Sequence, residues 1–413
     1  MASVPSPVAA APHAGRWPMA VRGFLSQNIA IGCAFGGFGV AVGDIKARYG
    51  VSSGMASMGL ALAVLTMGLA SPMVARLIGR YGLRRTMLTG VLLSGLGYVA
   101  LAFAPNIYVV LAAFGLLIGV GIAMCGPFPS SVLASNWFQP NAGPALGFVN
   151  MPVMVAVVPM MGVVLIKGYG LPTFFLVLAA LHALLVPFVL GVSDGPGGRP
   201  SRDAAHGHAA DHAAPTGAGA ILSRPIFWAI VLGAGGLSAA GIVGVSHLVA
   251  FAVERGVPDA QAALLLSVMG GAAALGSLLV GVLCSRLGAA NTLALMGAAL
   301  AGSWLVLLST TIYPLMFAAT LVIGMCGAGV FPAVNVVGAQ IFGAALLARV
   351  LGLFTFYTLP LTFALPPAAG VLRDVSVNYD PVIAVLIGGC GAIAVLFLAV
   401  ARVLAARPAV SPA

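Results

Sequence analysis

The sequence predicts an all-α integral membrane protein with twelve transmembrane helices in two pseudo-symmetric six-helix bundles. Three observations predict it. Of 413 residues, 61% are hydrophobic and 6% are charged, a mixture that cannot coat a water-facing surface and needs lipid as its solvent. Twelve apolar runs, each near the roughly 20 residues that a membrane crossing requires, lie six on either side of a polar stretch. The pattern G-x-x-x-x-G-x-F-P occurs twice, at Gly121, Gly126, Phe128, Pro129 and, 203 positions on, at Gly324, Gly329, Phe331, Pro332. Both copies close an apolar run. A doubled apolar unit is how many secondary transporters are built, with the solute site between the halves.

The first six runs fall at about 20–43, 53–74, 86–104, 106–127, 144–166 and 172–192, and the second six at about 225–252, 260–284, 290–309, 313–335, 346–370 and 381–403. The expected units are residues 1–192 and 225–413. Residues 193–224 are polar and rich in Gly, Ala and Pro, and read as a cytoplasmic linker with no fold of its own. Its His206, His208 and His212 with Asp211 make an H-x-H-x-x-D-H pattern. A flexible Ala/Gly context gives it no preorganised geometry, so no metal site is expected. The five cysteines (Cys33, Cys125, Cys284, Cys326, Cys390) sit inside apolar runs without C-x-x-C spacing and read as packing residues. The first 15 residues are Pro/Ala-rich with no basic stretch leading an apolar core, so no cleaved leader is expected.

The net charge of +10 would suit a nucleic-acid partner, but the cations stand at the ends of apolar runs, and no such partner is expected. With both termini inside, 13 of the 18 Lys and Arg are cytoplasmic and 5 are outside, which predicts an N-in, C-in protein of the cell membrane, in the manner of a bacterial inner membrane. There is no G-x-x-x-x-G-K-[ST] loop to cradle a nucleotide, so ATP is not the driving force. Neither a cofactor nor an enzymatic activity is expected, and the chain reads as a monomer.

Between the second and third runs stands SPMVARLIGRYGLRR (71–85), and at the matching place in the second half GVLCSRLGAA (281–290), with Arg80-x-Gly82 superposing on Arg286-x-Gly288 at an offset of 206. In these residues the chain resembles the major facilitator superfamily, whose members carry G-x-L-x-D-R-x-G-x-R in this loop. The resemblance implies rocker-type alternating access around a central cavity, with Arg80, Gly82, Arg84, Arg85 and, in the second half, Arg286 as gating elements. The family's acidic position is Gly79 here and Ser285 in the second half, so its carboxylate latch is missing from both. Asn136-Trp137-Phe138 followed by PALGF (144–148), SHLVAFAVERGVPDAQAALLLS (246–267) and PPAAGVLRDVSVNYDP (366–381) are similar to the monocarboxylate porter and oxalate/formate antiporter branch. That branch usually holds a substrate carboxylate with an Arg or Asp/Arg pair in the eighth helix, and some members add a Lys in the eleventh. Here the eighth run has no charge, and the eleventh has only Arg349 at its start.

Candidate binding residues follow from polarity at membrane depth. His247 is ionisable inside a spanning run, where a full charge costs roughly 2.5–3.5 kcal/mol on insertion scales. Because His titrates near neutral pH, it is the candidate proton or carboxylate partner; the competing reading is a neutral ring bonding a neighbouring helix. His182 reads as packing. Gln27, Asn28, Asn150 and Asn335 are amides that either bond a solute or glue helices. Tyr357 and Thr358 put hydroxyls at mid-depth, facing a cavity or capping the backbone near Pro360. Met151, Met154, Met160 and Met161 make a pliable wall or plain core. Gly126 with Pro129, and Gly329 with Pro332, are expected to bend their helices and enable gating. The expected function is secondary transport of a small organic solute, a monocarboxylate moving with a proton or by exchange. The alternatives are export of a neutral or amphipathic compound and a membrane sensor; the sensor lacks any segment outside the runs long enough to fold as an output domain.

Overall fold

The computed structural model describes residues 16–138, 145, 148–195, 218–342 and 344–405. In chain order its long helices are α1 (Arg16–Tyr49), α2 (Ser53–Tyr81), α3 (Leu83–Ala102), α4 (Ile107–Trp137), α5 (Val153–Tyr169), α6 (Leu171–Leu190), α7 (Pro225–Glu254), α8 (Asp259–Leu287), α9 (Ala289–Ser309), α10 (Tyr313–Phe342), α11 (Ala344–Ser376) and α12 (Asp380–Ala405). Ten are long and apolar enough to cross a membrane by length and composition; α5 is shorter at 17 residues, and α8 runs for 29. No strand occurs among the described residues. In lipid each segment must satisfy its own backbone hydrogen bonds, and the helix does so.

Local chemistry sets the ends. Ser52 accepts from Met55 N at 3.1 Å to start α2, and Asn106 accepts from Val109 N at 3.1 Å to start α4. Gly82 and Gly288 close α2 and α8 with φ of +84° and +82°, a left-handed turn that glycine adopts without penalty. The repeated Arg-x-Gly thus makes the same turn twice. Two wide turns with i→i+5 bonding interrupt α1 at Gly32–Gly36 and α4 at Ala113–Gly119.

The buried apolar side chains form two large clusters. One runs from Met19 to Val192 and includes Ala263; the other runs from Ile221 to Val400. Ile221 lies in a five-residue helix, Ala218–Leu222, so the end of the polar stretch packs on the second cluster. Its beginning is held by the first. Leu83 N donates to the Asp194 carboxylate at 2.6 Å, Asn136 Nδ2 to Asp194 O at 2.7 Å, and Trp137 Nε1 to Ser193 O at 2.9 Å. Residues 196–217, with His206, His208, Asp211 and His212, lie outside the described residues, as does most of the PALGF stretch.

The structure departs from the expected runs in two places. The fifth run forms a regular described helix only from Val153, because Pro152 has no N–H to give and keeps Met151 out of the helical region. The repeated Gly/Pro pattern bends only one of its helices. Gly126, at ψ −144°, splits α4 before Pro127, whereas α10 passes through Gly329 and Pro332 as one helix.

The hydrogen bonds and ion pairs that join the two halves among the described residues lie between mid-depth and the end of the bundle where α1 finishes, the Tyr49 end. Gly54 N meets Asp374 at 3.2 Å, Ser57 Oγ meets Pro366 O at 3.2 Å, Lys46 pairs with Asp374 at 3.5 Å, and Lys167 pairs with Asp259 at 2.5 Å. Gly54 and Gly370 let α2 and α11 touch, since a Cβ on Gly370 would sit 2.5–2.6 Å from the backbone of residues 53 and 54. The bundle is closed at this end.

Candidate functional site

A cavity of about 310 Å³ lies between the halves at mid-depth. Its walls are Ile31 and Phe35 of α1, Pro152 and Val155 at the start of α5, Ser238, Gly241, Ile242 and Val245 of α7, Met269, Gly270 and Ala273 of α8, and Ile323, Gly324, Gly327 and Ala328 of α10. Two devices bring the helices this close. The wide turn in α1 follows Ile31 and contains Phe35, and Gly324, the first glycine of the second repeat, abuts the Met269 backbone of α8, where any Cβ would collide. Its counterpart Gly121 is packed in the same way on Ser94 of α3. The wall carries no charged residue, and its one polar side chain is Ser238, which has no hydrogen-bond partner among the described residues.

Proline adds polarity that the sequence pattern does not announce. Pro332 has no N–H, so the carbonyl four residues back, at Ala328, has no helical donor. Ala328 lines the cavity. Pro159 does the same to Val155, another wall residue. In the first repeat, Pro129 frees the Cys125 carbonyl, but there Ser26 Oγ of α1 donates to it at 2.6 Å. The same proline device is bonded by a neighbouring helix in one half and belongs to a cavity-wall residue in the other.

A second space, about 450 Å³, opens towards the Tyr49 end and is lined by Asp44, Lys46, His247, Glu254, Asp259, Arg373 and Tyr379, with apolar neighbours. α1 and α7 part it from the cavity; a Cβ on Gly39 would strike the Val245 carbonyl and Leu266. Each of its cations faces a carboxylate, Lys46 with Asp374, and Arg373 with Glu254 at 3.0 Å. His247 is buried at the inner edge. Its Nε2 lies 3.0 Å from Pro366 O, and its Nδ1 lies 3.1 Å from Tyr379 Oη. A carbonyl only accepts, so Nε2 carries the hydrogen and Nδ1 accepts from the tyrosine hydroxyl. Pro366 O also takes the Ser57 hydroxyl of α2, so one carbonyl joins His247 to the opposite half. Tyr379 is fixed through its N–H, which donates to Glu254 at 2.9 Å. Burial pushes its phenol up, against the pull of Arg373, so it stays an O–H donor across ordinary pH. Two residues earlier, Val377 has φ +67°, a left-handed conformation that a β-branched residue rarely adopts.

The other candidates divide by place. Asn28 ties α1 to the start of α5, with Nδ2 donating to Met151 O at 2.9 Å and Oδ1 accepting from Met154 N at 3.0 Å. Asn150 Nδ2 donates to Ser131 Oγ at 3.0 Å. Gln27 is buried beside Asn28 with its Oε1 unpartnered among the described residues. These three gather where α1, α4 and α5 meet, and none lines the cavity. Thr358 bonds its own helix, at Phe354 O, and packs on Gly235. Tyr357 lies edge-on to Trp228 at 5.0 Å, on the side away from His247. Asn335 bonds Phe331 O. Of the methionines, the cavity wall takes Met269 and none of the four named from the sequence. His182 is buried against Tyr98, with Nδ1 2.8 Å from Leu178 O.

In the 71–85 loop, Arg80 lies over the Tyr81 ring at 5.2 Å, Arg84 Nε donates to Val192 O at 2.7 Å, and Arg85 and Arg286 are exposed. The carboxylate missing at Gly79 has a near substitute in Asp194, which caps the start of α3. Space beside Gly288 is open, with no such partner among the described residues. Sequence reading quoted Tyr379, Asp374 and Glu254 within family-like stretches but named none of them as a site residue. Their signal was present, since acidic residues and a tyrosine at the Tyr49-end turns are the available partners for a buried His and two cations. It also missed Ser238, which nothing distinguishes from other helix serines.

Residues 24–365 match the Major Facilitator Superfamily. Among characterised proteins, monocarboxylate transporter 4 of Rattus norvegicus is 28% identical over 209 residues, 48% of this chain and 42% of that one. Monocarboxylate transporter 3 of Rattus norvegicus is 30% identical over 240 residues, 55% of this chain and 46% of that one. The match thus spans less than half of each relative. Three solved structures share the fold. A bacterial homologue of the human lysosomal transporter Spinster, inward-facing and unoccupied, covers 94% of this chain and 96% of its own at TM-score 0.66 and 15% identity. A mutant of the nucleoside transporter NupG covers 93% and 99% at 0.74 and 14%, and a mutant of the peptide transporter POT covers 93% and 94% at 0.75 and 13%.

Proposed function

The chain belongs to the Major Facilitator Superfamily, and on that premise we propose that it carries a small monocarboxylate across the membrane by proton symport or exchange. It is a multi-pass membrane transporter of a small molecule, not an enzyme. The Arg16 end, to which the charge pattern of the sequence assigns 13 of the 18 cations, is taken as the cytoplasmic one, so the closed Tyr49 end faces outward. Residues 1–192 and 225–413 are the rocking units. The observation that carries the reading is the position of His247, at the boundary between a charged outer space and an apolar cavity. It bonds the same Pro366 carbonyl that Ser57 of the other half bonds. A titratable ring there receives a proton from the vestibule and passes it to the arriving solute, and its bonds take part in closure. The likeness to monocarboxylate transporters supports the solute class.

The test is uptake of a labelled monocarboxylate into proteoliposomes under an imposed pH gradient. Wild type should accumulate label as long as the gradient lasts, and His247→Gln should lose at least tenfold of that rate. Full pH-driven uptake by the variant removes His247 from the mechanism. One observation favours a second reading, export of a neutral or amphipathic compound: the cavity wall has no cation for a carboxylate. Under that reading carboxylates fail to compete for binding at any pH, while neutral lipophilic compounds do.

A further inference from the structure

The cavity and the proposed solute are mismatched if the solute enters as an anion. A carboxylate only accepts hydrogen bonds, and the wall meets it with two carbonyls freed by proline, at Ala328 and Val155. It offers one hydroxyl, Ser238, and no cation. An unpaired carboxylate in such a site is far costlier than a neutral acid. The Val155 carbonyl faces Gly270 and Gly36 across a tight helix contact, which leaves Ala328 as the freer acceptor. We propose that the monocarboxylate occupies this cavity as the neutral acid, donating its O–H to the Ala328 carbonyl and accepting from Ser238 Oγ. The proton then crosses on the solute itself: RCOO⁻ takes one proton at the outer boundary, RCOOH crosses, and one proton leaves with it on the other side. This rests on the monocarboxylate reading above, and it assigns Ser238 and the Pro332-freed carbonyl to specificity.

The first half shows the same kind of carbonyl already satisfied. The matching carbonyl in the first half, at Cys125, is filled by Ser26, whose hydroxyl comes from the first helix of that half. In the second half Ala328, whose carbonyl is freed by Pro332, and Ser238 of α7 both belong to the cavity wall. A solute that both donates and accepts complements these two groups. No titratable side chain of α1, α5, α7, α8 or α10 is in the wall. His247 is the nearest along α7, beyond the Gly39–Val245 contact.

The experiment is equilibrium binding to the purified full-length protein, using propionate and propionamide from pH 6 to pH 8. A carboxylic acid with a pKa of about 4–5 is neutral in only about one molecule in several hundred at pH 7, tenfold fewer for each unit above. Apparent propionate affinity should therefore fall about tenfold per pH unit, while propionamide, always neutral with a donor and an acceptor, should compete at a constant affinity. Ser238→Ala should weaken both ligands at least fivefold without changing the slope. His247→Gln should keep the propionate slope, because the proton is on the solute during binding. Propionate binding that is flat with pH, or a slope that disappears in His247→Gln, overturns the neutral-acid inference and leaves the monocarboxylate reading standing. Propionamide binding with no propionate binding at any pH instead overturns the monocarboxylate reading.

Discussion

At the scale of single residues, the Tyr49-end turn between α11 and α12 shows how much geometry is invested in one histidine. Tyr379 gives its hydroxyl to His247 Nδ1, its N–H to Glu254 and its ring face to Arg373 at 5.7 Å. Two hydrogen bonds and a cation–ring contact place one residue, and the chain reaches it through Val377 at φ +67°. For an L-residue that conformation costs about 1–2 kcal/mol, and strain of this kind persists where surrounding contacts fix it. Asn tolerates the left-handed region and does not add the unfolded-state freedom that Gly would. Val377→Asn should therefore stabilise the purified protein by about 1 kcal/mol, read as a rise in apparent melting temperature beside Val377→Ala. A variant that melts at or below the wild-type temperature means that the turn is not strained. None of this was legible in the sequence, where Val377 is an ordinary apolar residue. His247 itself was legible, because an ionisable group in a spanning run stands out against its neighbours.

At the scale of elements, helices were legible and their interruptions were not. Apolar runs of membrane length locate all twelve helices because lipid leaves the backbone one economical solution. The wide turns at Gly32–Gly36 and Ala113–Gly119 follow from packing between helices, which no single-run pattern encodes. The repeated Gly/Pro pattern is the clearest case. Its two copies read alike, yet one splits its helix and the other does not. The difference lies at a position the pattern leaves open. Pro127 follows Gly126 and disfavours the helical conformation there, whereas Val330 follows Gly329 and sets no such limit. Closure at the Tyr49 end also depends on an element contact. α2 and α11 touch backbone to backbone at Gly54 and Gly370, and a side chain there has nowhere to go. Gly370→Val should separate these helices at the Tyr49 end. All five native cysteines are buried, so a cysteine introduced at Ser53 can be read against a low background. An impermeant maleimide should label it several-fold faster in Gly370→Val than with Gly370 intact. Equal rates would show that this contact does not hold the Tyr49 end shut.

At the scale of the whole molecule, the doubled pattern announced the architecture and the bonds between halves define its state. Two partly exposed ion pairs and two hydrogen bonds join the halves at the Tyr49 end. At about 0–1 kcal/mol for each exposed pair and about 0.5–1.5 kcal/mol for each hydrogen bond, they hold it with roughly 1–5 kcal/mol. Moving a two-state equilibrium from 1:99 to 99:1 takes about 5.5 kcal/mol of differential affinity. The closure is therefore of a size that a bound solute can reverse. Each half keeps its own apolar cluster, so the least costly motion is of one intact half against the other. Rigid rocking makes a definite demand on distances. Spin labels at Arg48 and Val375 report the Tyr49 end, and labels at Tyr81 and Leu287 report the other. All four side chains are at least partly exposed. When propionate is added at pH 6, one distance should lengthen as the other shortens, with both populations present in each sample. If one pair moves while the other stays fixed, the halves bend locally at one end and do not rock as units.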